Sequence, residues 1–298
     1  MADARPAATD RPAPVVRPEI ENRTIEPGTA AAVARPLGPA AWLAGKAWFR
    51  KTAILACLVL AWEAYARHLG NPLLVPTFGE TMAALWEAAA DGVLGRRVAT
   101  SLRVLLTGYA IGVLAAAVLT SLAVSSRIGT DLLSTLTAMF NPLPAIALLP
   151  VAMLWFGLGQ ASLVFVIVHS VLWAVALNTH TGFLAVAETQ RMAGRNYGLR
   201  GLPFVLRILV PAAFPSILSG LKIGWAFAWR TQIAAELVFG ATSASGGLGW
   251  FIFEARNQLD TAAVFAGLTA VIIIGLVVEN LIFRWIERRT VRRWGMQR

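Results

Sequence analysis

Long apolar blocks alternate along this chain with short polar connections in which basic residues gather. Six blocks approach, alone or with their flanks, the roughly 20 residues that a helix needs to cross a bilayer. They are 52–66, 101–125, 132–156, 161–183, 216–240 and 261–285. The first is short and draws on a Trp-rich lead-in, with Trp42 and Trp48 at headgroup level and Lys46, Arg50 and Lys51 beside it. Residues 67–100 are the longest polar connection, broken at Asn71-Pro72 and Val75-Pro76-Thr77, and within it 78–90 reads as an amphipathic helix. Gly108 and Gly112 in the second block, and Gly220 and Gly224 in the fifth, are steps of small residues four apart that let another helix approach closely. Pro142, Pro144 and Pro150 interrupt the third block, so its freed carbonyls must meet protein or water; such a segment lines a cavity rather than facing lipid. His169 in the fourth block reads as an interhelical hydrogen-bonding residue. Residues 1–40, rich in Ala, Pro and Arg, read as a disordered, solvated tail without the apolar run of a secretory signal.

Composition sharpens this reading. The chain is 57% hydrophobic and 14% charged, against about a quarter charged in a soluble protein. Its net charge of +10 is explained by basic loops beside an anionic leaflet, and no soluble basic domain is left over to bind nucleic acid. The lone Cys57 excludes an internal disulfide and a cysteine-based metal site. The chain carries no Gly-rich phosphate loop, no His/Glu metal cluster and no Ser or Cys evidently paired with a His, so no catalytic site and no metal site is expected. Six crossings place both termini on one side, together with Lys46, Arg50, Lys51, Arg127, the 191–207 loop and the Arg-rich C-terminus; that side is cytoplasmic.

The cytoplasmic connection between the fourth and fifth blocks stands out. From Met192 to Pro211 it carries Arg195, Arg200 and Arg207 among Leu199, Leu202, Phe204, Val205, Leu206 and Ile208, with no acidic residue. That mix predicts a short amphipathic helix at the membrane surface, able to dock on a cytoplasmic partner. It resembles the EAA loop of the inner-membrane subunits of ABC importers: Glu-Ala-Ala, three residues, Gly, nine residues, Ile, one residue, Leu-Pro. Gly198, Ile208 and Pro211 fall at those spacings, Val210 replaces the Leu, and Met192-Ala193-Gly194 keeps only the middle Ala of the opening triplet. Further motifs are similar to those of nitrate, taurine and alkanesulfonate permeases: Asn141-Pro-Leu-Pro144 with Leu149-Pro150 and Trp155-Phe-Gly157, then Ala228-Trp229, Ala234-Ala235-Glu236 and Gly247-Leu-Gly249, and Glu287-Arg288-Arg289 with Arg293-Trp294 at the end.

The resemblance implies an all-α integral membrane protein of six transmembrane helices with the type I (MetI-like) ABC importer permease fold. Residues 41–298 would be the permease domain, with a coupling loop at 187–215, in the inner (plasma) membrane of a bacterium. It implies a second permease copy as a homodimer partner, two cytoplasmic ATPase subunits that bind the ATP-Mg, and a periplasmic substrate-binding protein; this chain itself needs no cofactor. Met192, Ala193, Gly194, Arg195, Asn196, Tyr197, Gly198, Leu199, Arg200, Ile208 and Pro211 are the expected ATPase-coupling residues, with the coupling helix around 195–202. Gly198 is suited to a tight turn or a close backbone approach.

Asn141, Pro142, Pro144, Arg230 and Glu236 are the candidates for the substrate pathway, the substrate being a small organic or inorganic anion. Arg230 lies about 20 Å along the fifth helix, where an unpaired charge is costly. Glu236, some 120° away around the helix, is poorly placed to pair with it; Glu63 or a group of the second copy is an alternative. On the pathway, its guanidinium would grip an oxyanion with two parallel hydrogen bonds. Two other classes compete. A secondary transporter with no ATPase partner would show internal repeats and intramembrane acid or His relays; a membrane-embedded enzyme would show a catalytic constellation.

Overall fold

The structure, a computed structural model, describes residues 45–239 and 246–291. The tail at 1–40, Ser243 in the loop after the fifth block, and Arg293-Trp294 lie outside them. Every regular element among the described residues is helical: α1 Ala47–Leu69, α2 Phe78–Ala90, α3 Val93–Val124, α4 Arg127–Phe140, a 3-10 turn Ala145–Leu148, α5 Leu149–Phe156, α6 Gln160–Leu184, α7 Glu188–Asn196, α8 Gly201–Ala212, α9 Phe214–Phe239, α10 Leu248–Asn257 and α11 Thr261–Arg289. Chain contacts separate residues 1–58 from 59–298. The described part of the first unit is the opening of α1, where Arg50 Nη1 donates to the Gly45 carbonyl (2.8 Å). All packing below belongs to the second unit.

Local chemistry sets the ends. Thr77 closes a capping box at the start of α2: its hydroxyl accepts from the Glu80 amide (3.2 Å) and Glu80 accepts from the Thr77 amide (2.8 Å). Gly92, at φ +67°, turns the chain from α2 into α3. The second block therefore starts at Val93, well before the expected 101, and Arg96 and Arg97 are helical rather than part of a polar connection. Ser126 caps α4 through the Gly129 amide (3.0 Å), and Asp260 caps α11 through the Ala263 amide (2.9 Å).

Helix α6 is the centre of the bundle. A Cβ added at Gly108 would lie 2.7 Å from Ile167, and one at Gly112 would lie 2.8 Å from Val171. On its other side, one at Gly220 would lie 2.8 Å from Asn178, and one at Gly224 would lie 3.0 Å from Val175. Both small-residue steps thus press on the same helix. The outward faces are apolar instead. Leu106, Ile111, Leu114, Val118 and Leu122 line the exposed side of α3, while Ser101, Gly108, Gly112, Ala116 and Thr120 lie buried. A stripe of that kind would aggregate in water and is at home in lipid.

Among the described residues, helices α3, α6 and α11 are long and apolar enough to cross a membrane, and two bent pairs, α4 with the 3-10 turn and α5, and α8 with α9, bring the number to as many as five if each pair is one span. The sixth expected crossing, α1, which carries Arg50, Lys51, Glu63 and Arg67, is not among these on length and composition, so the count of six is not confirmed. The third block is not one interrupted helix: its arms meet at 87°. Helix α10 takes up residues read as loop and connection.

Candidate functional site

Two regions collect the predicted residues. In the first, α4 ends at Phe140 and Asn141 caps it, donating its amide to the Thr137 carbonyl (2.9 Å). Pro142 and Pro144 occupy the break, and Pro150 sits in the first turn of α5, where a missing N–H leaves no bond unmade. Phe140 stacks flat on Trp173 of α6 at 5.3 Å and 11°, which fixes the corner. Behind the corner lies a cavity of about 340 Å³ lined by Asn141, Pro142, Pro144, His169, Trp173, Phe227, Arg230 and Thr231, among others. The Arg230 Nε donates to the Ala226 carbonyl (3.1 Å), and the guanidinium lies over the Phe227 ring at 5.1 Å. Among the described residues no carboxylate is in ion-pair range of it. Glu63 is taken by Arg67 at 2.7 Å.

Four of the five pathway candidates therefore share one cavity, and Glu236 does not. Glu236 is buried on another face of α9, where its carboxylate accepts from the Ser101 hydroxyl (3.1 Å), the Gly249 amide (2.7 Å) and the Gln232 side chain. Ser101 in turn accepts from the Leu248 amide (2.8 Å). The six-residue offset that separates Glu236 from Arg230 carries it to this clamp, which fastens α10 to α3 and α9. Arg97 reinforces the clamp through Glu254 and the Gly246 carbonyl, both at 3.0 Å. Gly249 has no alternative: a Cβ there would lie 2.6 Å from Glu236 and 2.8 Å from the Ile233 carbonyl.

His169 also departs from expectation, with neither ring nitrogen bonded among the described residues; it packs edge-on to Phe140 (6.4 Å) and Trp173 (6.2 Å). Sequence reasoning missed His169, Trp173, Phe227 and Thr231 as cavity residues. The usable signal was spacing, since His169 and Trp173 are four apart on α6, and Phe227 and Arg230 three apart on α9.

The second region is the basic loop. Helix α7 spans Glu188–Asn196 and α8 starts at Gly201, so the middle of the expected helix at 195–202 is a turn, 197–200, between two helices. Its end is a Schellman cap: Gly198 at φ +75°, its amide on the Arg195 carbonyl (2.9 Å) and the Leu199 amide on that of Gly194 (3.1 Å). Gly194 is buried, and a Cβ there would lie 2.8 Å from Ile208 and 3.0 Å from Phe204, so α7 and α8 pack backbone to side chain. Arg191 fastens α7 to the end of α6 through the carbonyls of Phe183 (2.6 Å) and Val186 (3.2 Å). Just before Pro211, which offers no amide to the Arg207 carbonyl, α8 widens into a π turn over Val205–Leu209. Met192, Ala193, Arg195, Asn196, Tyr197, Gly198 and Arg200 are exposed, while Leu199 half-closes a cavity of about 350 Å³ shared with Arg191, Arg195 and Arg200.

A bundle with exposed apolar stripes, a cavity behind a broken helix and an exposed basic turn between helices is consistent with a membrane transport component. Residues 108–293 match the family described as binding-protein-dependent transport system inner membrane component, and the chain belongs to that family. The taurine transport system permease TauC of Escherichia coli is 30% identical over 247 residues, covering 79% of this chain and 86% of that protein. SsuC of the same organism, provisionally named as an aliphatic sulfonates transport permease, is 29% identical over 80% of this chain and 90% of its own length. The nitrate import permease NrtB of a Synechocystis strain is 26% identical, with 83% and 91% covered. Members of this family work with ATPase and substrate-binding protein partners.

Proposed function

We propose that this chain forms the pathway of an ATP-driven importer for a small organic or inorganic anion, such as a sulfonate, taurine or nitrate. Two copies pair around the pathway through the broken α4–α5 corner and α9. The exposed turn at Tyr197–Arg200 and the α7 face of Met192, Ala193, Arg195 and Asn196 dock on the cytoplasmic ATPases, which hold the ATP-Mg. A binding protein delivers substrate on the opposite side of an inner membrane, and both termini are cytoplasmic.

The observation that carries this reading is Arg230, a cation within a predicted crossing that has no carboxylate partner among the described residues and lines the cavity behind the proline corner. An anion there neutralises a charge that is otherwise costly in the bilayer. The test is uptake of labelled anion into vesicles holding the whole complex. Arg230→Gln lowers uptake at least about tenfold, the loss of one charged hydrogen bond of about 1.5–3 kcal/mol, while the permease still co-purifies with its ATPases. Normal uptake, or a complex that falls apart, overturns the pathway role.

A further inference from the structure

Helix α11 carries a carboxylate, Glu279, inside the predicted crossing 261–285. It is exposed and has no hydrogen bond or ion pair among the described residues. A lone charge in such a segment is costly and calls for a partner. Its level is set by four contacts between α9 and α11. Trp229 donates its ring N–H to the Val271 carbonyl (3.3 Å), and a Cβ at Gly275 would lie 3.7 Å from the same nitrogen. Trp225 meets Phe283 at 6.4 Å, and Lys222 meets Glu287 at 2.6 Å. The two helices therefore run antiparallel, and Glu279, midway between Gly275 and Phe283, stands level with Ala226 and Phe227. Arg230 reaches the same level, because side chains on a helix lean toward its N-terminus. Its Nε donates to the Ala226 carbonyl (3.1 Å) and its guanidinium lies over the Phe227 ring. Arg230 and Glu279 both line a cavity of about 350 Å³ between α9 and α11. The other cation in its wall, Lys222, is held by Glu287, so Arg230 is the one left for Glu279. Arg230 also lines the cavity behind the proline corner, which has no Asp or Glu in its wall. It thus stands in the partition between two cavities, and only one of them supplies a carboxylate.

We infer that Glu279 is the counter-charge of Arg230 while the pathway is empty, and that an entering anion takes the guanidinium from it. Glu279 then sets the affinity of the pathway for anions without touching the anion. This rests on the reading of Arg230 as a pathway residue. The experiment compares the complete permease–ATPase complex in nanodiscs with its Arg230→Gln, Glu279→Gln and double variants. Two quantities are measured: the midpoint of heat-induced loss of intact complex, and equilibrium binding of radiolabelled taurine and nitrate without binding protein. Each single variant leaves one charge unpaired and melts below the parent, whereas the double variant regains most of the loss. Glu279→Gln binds the anions at least about tenfold more tightly than the parent, because a competing charged hydrogen bond is gone. Glu279→Asp keeps the charge and stays near the parent in both measurements. A cycle in which the two stability losses simply add overturns the pair. A coupled cycle in which Glu279→Gln binds the anions no more tightly than the parent, or not detectably, overturns the displacement. Normal uptake by the Arg230→Gln complex overturns the pathway reading itself, whatever the cycle shows.

Discussion

The clamp at Glu236 makes a quantitative prediction. Glu236→Ala strips the acceptor from three donors at once: the Ser101 hydroxyl, the Gly249 amide and the Gln232 side chain. All are buried, and a buried donor left unmade costs about 1–3 kcal/mol. Ser101 keeps its contact with the Leu248 amide and can rotate, so the lower end applies to it. The sum is at least about 3 kcal/mol, which for a domain of this size lowers the melting temperature by about 6–12 °C. The assay is the fraction of detergent-solubilised permease that stays monodisperse by size exclusion after heating. Glu236→Gln keeps one oxygen and loses less, because its amide group meets only one of the donors unfavourably. A melting temperature for Glu236→Ala within about 2 °C of the parent, less than 1 kcal/mol, refutes the clamp. A Glu236→Gln protein of parental stability but without uptake would instead return Glu236 to the substrate path.

Gly198→Trp leaves the permease inserted but abolishes substrate-stimulated ATP hydrolysis in the complex. A side chain there enters open space, so the bulk obstructs docking, and the left-handed backbone adds only about 1–2 kcal/mol; normal stimulation would disprove the coupling role. Cysteine pairs placed along 141–149 in a Cys57-free background crosslink two copies, detected as a dimer on a denaturing gel. Crosslinks confined to α1 or α11 would reject the proposed interface.

Much of this architecture can be read from residue patterns, and the exceptions have physical causes. The helix at 78–90 was legible from its amphipathic pattern; the Thr77–Glu80 cap that fixes its start is seen only in the structure. The glycine steps showed that close contact occurs but not with which helix, since both converge on α6 from distant parts of the chain. Prolines at 142 and 144 announced a break, but the 87° corner depends on Phe140 finding Trp173, a tertiary contact. Helix α10 was hidden by its short length and by the glycines before it, which read as loop until Glu236 and Ser101 are seen beneath them. In the basic loop, Gly198 was recognised as turn-permitting, yet the helix was expected to run through it; its positive φ ends α7 instead. The angular offset between Arg230 and Glu236 was sound, and it separates a cavity residue from a buried one.

Helix α9 has mechanical consequences. It leaves the basic loop at an 81° elbow, is tied by Lys222 to Glu287 at 2.6 Å, carries Arg230 at the cavity, and reaches the α10 clamp at Glu236. A continuous helix of 26 residues is a stiff rod about 39 Å long. Where it crosses α6, Gly220 and Gly224 offer no side chain to interlock, so the crossing is a smooth bearing rather than a ratchet. A tilt about that bearing cannot be absorbed along the rod. A push at the loop end is delivered, roughly 20 Å beyond the bearing, to the clamp, and Arg230 is carried with it. Loop, cavity and clamp are therefore joined by one continuous helix.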